Sequence, residues 1–183
     1  MLSDQTLQMI GIQFMIAHDC MRSIIYFREL GEIEGKPDAL IYTKDVFSEH
    51  AVNSWCKLFG SRSEDTHWSK LAENEEVVAI VDAFTKERIL EAAETSDEEW
   101  IRYHERMKKC RDEFFAHFDL NGYEIIYPNL TLALCSVLEL RSWLSNILNT
   151  AIENGQSLRN AAISNEGAIK QFIQETAVFK IST

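Results

Sequence analysis

An arginine and a histidine stand six positions apart in the segment KKCRDEFFAHFD, residues 108–119. The guanidinium of Arg111 is a planar donor group that grips phosphate oxygens and stabilises the charge that develops on them. The imidazole of His117 titrates near neutral pH and can move the proton of a ribose hydroxyl. Together these are suitable side chains for cleaving RNA without a metal ion.

The spacing alone leaves a second interpretation open. An arginine followed four to six positions later by a histidine also occurs at Arg62 and His67. Charged side chains on an amphipathic helix most simply face solvent. Residues 108–119 are therefore either a phosphate site or a solvated helix face that carries a satisfied histidine.

Helical periodicity positions the pair. From residue 100 to residue 119, Arg111 and His117 flank an apolar stripe, about 120° apart around the helix and about 9 Å apart along its axis. His104 and Lys108 lie on the Arg111 side. The stripe consists of Trp100, Tyr103, Met107, Cys110, Phe114 and Phe118.

The rest of the chain shows the same periodicity, with start and stop signals between the segments. The capping box from Ser96 to Glu99 begins the helix that carries the pair. An ordered loop is expected over 120–129, and the helix at 130–154 is the most apolar and should be central. The sequence predicts one all-α domain over 1–183, a bundle of about five to seven helices. The predicted helices span about 3–30 (broken by Gly31 and Gly35), 37–59 (stopped by Gly60), one or two turns in 67–73, 74–94 (capped by Asn74), 96–119, 130–154 and 157–179.

Composition limits the classes of function. A net charge of −11 excludes a protein that coats nucleic acid over its whole surface, but it permits a local basic site. No apolar run approaches the roughly 20 residues that a membrane span needs, and the first residues do not resemble a signal peptide. We therefore expect a soluble cytoplasmic protein without membrane association.

Metal and cofactor sites are not expected. Cys20, Cys56, Cys110 and Cys135 are scattered, which favours reduced cysteines that serve as small apolar residues. The neighbouring pairs His18-Asp19 and Glu49-His50 point about 100° apart on a helix, so neither pair chelates a metal alone.

Two segments resemble one protein family. CRDEFFAHFD resembles the signature of the HEPN superfamily, in which an arginine and a polar residue precede a histidine; Arg111, Asp112 and His117 match these positions. AVNSWCKLFGSRSEDTHWSKL, from Ala51 to Leu71, resembles the Trp-x-x-x-Phe-Gly and His-Trp pattern of an abortive-infection-like branch of that superfamily. The resemblance covers about residues 45–120 and implies an all-α HEPN-like fold.

The resemblance implies a metal-independent endoribonuclease that acts as a toxin or anti-phage defence effector. Arg111 and His117 would be catalytic, and Asp112, His104, Lys108 and His67 would support them. Without a metal-activated water the nucleophile is the 2′-hydroxyl, so the products should carry 2′,3′-cyclic phosphates. The alternative is a non-catalytic helical module that binds a partner protein or a nucleotide.

The resemblance also implies partners besides the RNA substrate. A homodimer is expected, in which the seam of Met107, Cys110 and Phe114 packs against its two-fold copy and brings both arginine–histidine pairs, with the basic residues of 102–111, to one groove. The alternative is a monomer in which the protein's own helices fill this seam and the charged edge faces solvent. An antitoxin or a nucleotidyltransferase-like partner is implied as well. His67 and Trp68 form either an aromatic–imidazole wall near this site or ordinary core packing with one polar tip.

Overall fold

The computed structural model describes residues 1–33, 37–112 and 128–157. All regular structure in these ranges is helical, which confirms the predicted all-α class. None of the described helices is both long and apolar enough to cross a membrane. The described residues form seven α-helices: α1 (Asp4–Glu32), α2 (Asp38–Phe59), α3 (Ser69–Ala72), α4 (Glu75–Val78), α5 (Lys86–Ala92), α6 (Asp97–Cys110) and α7 (Thr131–Glu153).

The two longest helices, α1 and α7, pack against each other, and α2 lies along α1. Helix α1 begins where the Ser3 hydroxyl accepts the backbone N–H of Thr6, at 3.3 Å. Its apolar residues recur every three or four positions, so they form one stripe that faces the core. The buried apolar residues of all these helices belong to a single hydrophobic cluster.

The indole of Trp55 on α2 joins three helices. Its ring stacks on Phe59 at a centroid distance of 5.3 Å and meets Trp100 and Tyr103 of α6 edge-on, each at 5.7 Å. Its Nε1–H donates to the Ser136 hydroxyl of α7 at 3.0 Å. The side chain is fully buried, and its one polar atom has a partner there, so α2, α6 and α7 are held at one point.

The single helix predicted over 74–94 is wrong. Asn74 does cap a helix, since its Oδ1 accepts the N–H groups of residues 76 and 77, but that helix ends at Val78 and the next begins at Lys86. The residues between them leave the helical path because Phe84 is buried against the Trp143 ring, with centroids 5.4 Å apart. The Trp143 Nε1–H also donates to the Asp82 carbonyl at 2.8 Å. Tertiary packing therefore overrides a continuous helical pattern.

Most other predicted boundaries agree with the structure to within a few residues. Helix α1 continues through Gly31 to Glu32, so the predicted break at that glycine is wrong, while α2 ends before Gly60 as predicted. Gly35 lies outside the described residues. So do the predicted helical residues 113–119, the predicted loop except its last two residues, and the predicted tail helix apart from its first residue.

We expect alanine to have opposite effects at two glycines. A Cβ atom at Gly60 would lie 2.4 Å from the Cys56 carbonyl oxygen, whereas one at Gly31 would meet nothing within 4 Å. Gly60→Ala should therefore lower the free energy of unfolding by about 2 kcal/mol. Gly31→Ala, inside a helix, should leave it unchanged or raise it by up to about 1 kcal/mol. Urea unfolding of the two variants checks this, and equal effects would contradict it.

Candidate active site

The helix that carries Arg111 begins at a complete capping box. The Ser96 hydroxyl accepts the Glu99 N–H at 3.2 Å, and the Glu99 carboxylate accepts the Ser96 N–H at 3.4 Å. Three acidic residues in the first turn further stabilise this end of the helix dipole. The four buried residues of α6 are Trp100, Tyr103, Met107 and Cys110, as the predicted stripe requires.

Arg111 directly follows α6, and its guanidinium is held by the next residue. The Arg111 Nε–H donates to the Asp112 carboxylate at 2.7 Å, and the arginine side chain is about one quarter exposed, at 27%. This hydrogen bond is the largest cause of a raised pKa of Arg111, and Cys56 and Glu64 add to it. The arginine is thus a permanent cation that lies within electrostatic range of two carboxylates.

His104 lies two helical turns before Arg111 on the same side of α6. Its Nε2 is 2.7 Å from the Phe59 carbonyl oxygen and 2.9 Å from that of Gly60. Carbonyl oxygens only accept, so Nε2 carries a proton. The half-buried ring also meets the Trp55 ring edge-on at 5.7 Å.

His67 lies in the loop between α2 and α3 and is buried. Its Nδ1 accepts the Ser69 backbone N–H at 3.2 Å, which assigns the proton of the neutral ring to Nε2. Burial is the main cause that lowers the pKa of His67 to about 4, and electrostatic interactions with Arg62, His104 and Lys70 act in the same direction. His67 is therefore neutral at physiological pH. Its ring packs against Trp68 at 5.4 Å, so it combines core packing with a polar edge.

The cysteines near the site are not nucleophiles. All four cysteines of the chain are free thiols. Burial raises the pKa of Cys56 to about 12 and that of Cys110 to about 11. A thiol with such a pKa stays protonated at neutral pH and behaves as a small apolar side chain. The neighbouring charges of Arg111 and Lys108 lower the pKa of Cys56 only partly.

The structure brings most of the predicted site residues to the C-terminal end of α2. His104 binds that end directly. Arg111, Asp112 and Lys108 influence the pKa of Cys56 in its last turn, and His104 influences the pKa of His67. His117 lies outside the described residues. Among the residues that are described, no group of three or more histidine, cysteine or acidic side chains is arranged to hold a metal ion.

The described part of the predicted dimer seam, Met107 and Cys110, is packed within the protein itself. Met107 is fully buried and Cys110 is 3% exposed, because α6 packs this face against the core. The buried Cys56 thiol lies 3.8 Å from the Met107 carbonyl oxygen. These two residues are therefore unavailable to a second copy, and Phe114 lies outside the described residues.

The basic residues of α6 do not all lie on one side of the helix. Arg102, Arg106 and Lys109 are exposed. At about 100° per residue they cluster on one side of α6, roughly opposite to Arg111. Lys108 lies nearer to Arg111 and is half-buried. Arg102, Arg106 and Lys109 therefore do not lie beside Arg111 on the described helix.

Two residues near the site escaped sequence reasoning. Gln13 on α1 is fully buried and donates its amide N–H to the His67 carbonyl at 3.0 Å, which ties the loop to α1. The sequence did contain a sign of the burial of Gln13, because this polar residue lies within the apolar stripe of α1, three positions after Ile10. Glu64 lies in a short polar loop without any pattern, and only the fold brings its charge to Arg111.

Comparison with known proteins identifies no relative. No protein-family model matches the chain. No curated protein and no solved structure matches it either.

The buried neutral His67 should make stability depend on pH. Its folded pKa of about 4 lies below the ordinary value of 6.5, so the unfolded chain binds the proton first as the pH falls. The free energy of unfolding should therefore decrease between about pH 6.5 and pH 4, by up to roughly 3 kcal/mol from this group. In His67→Asn the amide oxygen can replace Nδ1 as the acceptor, so this variant should lose less stability over the same interval.

Urea unfolding at pH 7 and pH 4.5 measures the difference. His50→Asn, which changes an exposed histidine of α2, is the matched control and should follow the wild type. An identical loss of stability in the wild type and in His67→Asn would show that His67 is not the group responsible.

Proposed function

We propose that this protein is a metal-independent endoribonuclease of the HEPN type, acting in the cytoplasm as a toxin or defence effector. The observation that supports the proposal is the packing of the upstream segment that resembles the family against the helix that leads to Arg111. Trp55, Phe59 and Gly60 of the upstream segment pack against Trp100 and His104 of the helix that leads to Arg111. The Trp-x-x-x-Phe-Gly part of the resemblance thus lies against the helix whose end is followed by Arg111 and Asp112.

In the proposed reaction Arg111 binds the scissile phosphate and stabilises the negative charge that builds up on its oxygens. His117 takes the proton of the attacking 2′-hydroxyl or supplies one to the leaving 5′-oxygen. Before RNA binds, Asp112 orients the guanidinium, because its carboxylate accepts the Nε–H at 2.7 Å, and the phosphate then takes its place. The neutral His67 contributes hydrogen bonding rather than proton transfer, since its pKa is too low for exchange near pH 7.

Cleavage of labelled RNA in EDTA tests the proposal. The wild type should produce 2′,3′-cyclic phosphate ends and leave DNA intact, because DNA lacks the attacking hydroxyl. Arg111→Ala and His117→Ala should each reduce the rate by about 10²-fold or more. Arg22→Ala removes an exposed arginine of α1 and serves as the control with unchanged activity.

The outcomes separate the enzyme from its rival. Metal-dependent cleavage, or degradation of DNA at a similar rate, would contradict the proposed mechanism. If the wild type and both variants are equally inert, the protein is instead a non-catalytic module that binds a partner protein or a nucleotide.

The proposed assembly is a homodimer with an antitoxin or nucleotidyltransferase-like partner. Since Met107 and Cys110 are buried within one chain, a two-fold contact has to use other surface residues. Sedimentation at micromolar concentration should show a dimer. A monomer that cleaves RNA at full rate would remove the model in which two copies share one cleft.

A further inference from the structure

The end of α2 has an unusual set of hydrogen-bond partners. The last carbonyl groups of a helix have no partner inside it and need donors from elsewhere. In α2 the Leu58 carbonyl accepts the Trp68 backbone N–H at 2.9 Å, and the Lys57 carbonyl accepts the Thr66 hydroxyl at 3.0 Å. The loop that follows α2 therefore folds back to satisfy two of these groups.

The two remaining carbonyls of this end, those of Phe59 and Gly60, are satisfied from another helix. The Nε2–H of His104 lies 2.7 Å and 2.9 Å from them. The positive end of this N–H points at the negative end of the α2 dipole, which strengthens the interaction. Gly60 is required for this arrangement, because a Cβ atom there would collide with the Cys56 carbonyl oxygen.

The position of His104 on α6 relates it to Arg111. His104 and Arg111 are seven positions apart, which corresponds to about 10 Å along the helix axis and to directions that differ by only about 20° around it. A contact that fixes His104 therefore also fixes the direction in which α6 presents Arg111. Between them, the Cys56 thiol lies 3.8 Å from the Met107 carbonyl oxygen and forms a weaker second contact between the helices.

The contact of His104 with the Gly60 carbonyl also involves the loop that follows α2. Gly60 is the first residue of the loop that carries Glu64, whose charge acts on Arg111. The loop is also held by Gln13, through the His67 carbonyl at 3.0 Å. His104 thus lies where α6, which leads to Arg111, meets the start of the loop after α2.

We propose that His104 is a positioning residue, which sets Arg111 in the site by donating its Nε2–H to the carbonyls of Phe59 and Gly60 at the end of α2. This inference rests on the proposed nuclease function for its kinetic consequence, but its structural part does not. Trp100, Tyr103 and Met107 hold α6 to the core independently, so loss of the donor should misplace Arg111 without unfolding the protein.

A matched pair of variants isolates the donor. In His104→Gln the side-chain amide N–H can replace the Nε2–H, whereas His104→Met has a similar length and no donor. On RNA, His104→Met should lower kcat by about 10²-fold with a much smaller change in KM, because misplacement mainly affects the transition state. His104→Gln should retain most of the wild-type kcat. His50→Gln is the control at an exposed histidine.

An NMR measurement on the same full-length variants does not depend on activity. The Arg111 Nε–H signal should shift and exchange faster with solvent in His104→Met, and both properties should return in His104→Gln. If the wild type does not cleave RNA, the nuclease proposal fails and this signal alone decides the positioning role. An Arg111 signal unchanged in His104→Met, or equal losses in the Met and Gln variants, would overturn the inference.

Discussion

The burial of Trp55 is the interaction on which the described architecture depends. Its indole is the point where α2, α6 and α7 meet, and its N–H is satisfied only because Ser136 lies beneath it. Large aromatic rings contribute much of the apolar area that a core of this size buries. Since His104 also contacts this ring, the packing that stabilises the core simultaneously orients the residue that holds the end of α2.

Because the same contacts serve the core and the candidate site, the elements of the site are not positioned independently of one another. The end of α2, the loop after it and the last turns of α6 share hydrogen bonds through backbone carbonyls, which cannot be altered by side-chain substitution. The geometry around Arg111 therefore follows from the backbone path at Gly60 and from two donors, His104 and Trp68. A site built on rigid helix ends is more precise than one built on a free loop.

Local signals in the sequence were sufficient for much of the fold. The hydroxyl of Ser3 and the capping box at Ser96 mark helix starts because capping depends only on residues within one turn. The same local reasoning failed at residues 79–85. There the helix is interrupted by a contact with Trp143, more than fifty positions away, and no local pattern encodes such a contact.

The residues of the candidate site likewise divide into those that local sequence signals predict and those that depend on distant contacts. Arg111, Asp112, His104 and Lys108 were predictable together because helical periodicity relates residues on one element. The approach of Glu64 and the burial of Gln13 were not predictable, because each depends on how separate elements pack. Periodicity also could not show which helix fills the Met107 face, since an apolar stripe looks the same whether it meets its own core or a second copy.

The hydrogen bond between Arg111 and the Asp112 carboxylate is of a kind that a second anion can replace. In a chain of net charge −11, an unpaired arginine would attract acidic groups of the protein itself, and Asp112 already occupies the Nε–H. The Asp112 side chain is 55% exposed, so water readily solvates it when it leaves, and exposed ion pairs of this kind contribute little free energy. Under the proposed function, a phosphate that replaces Asp112 keeps Arg111 charged and hydrogen-bonded throughout. The carboxylate thus holds the guanidinium in order at little cost to the affinity for a phosphate.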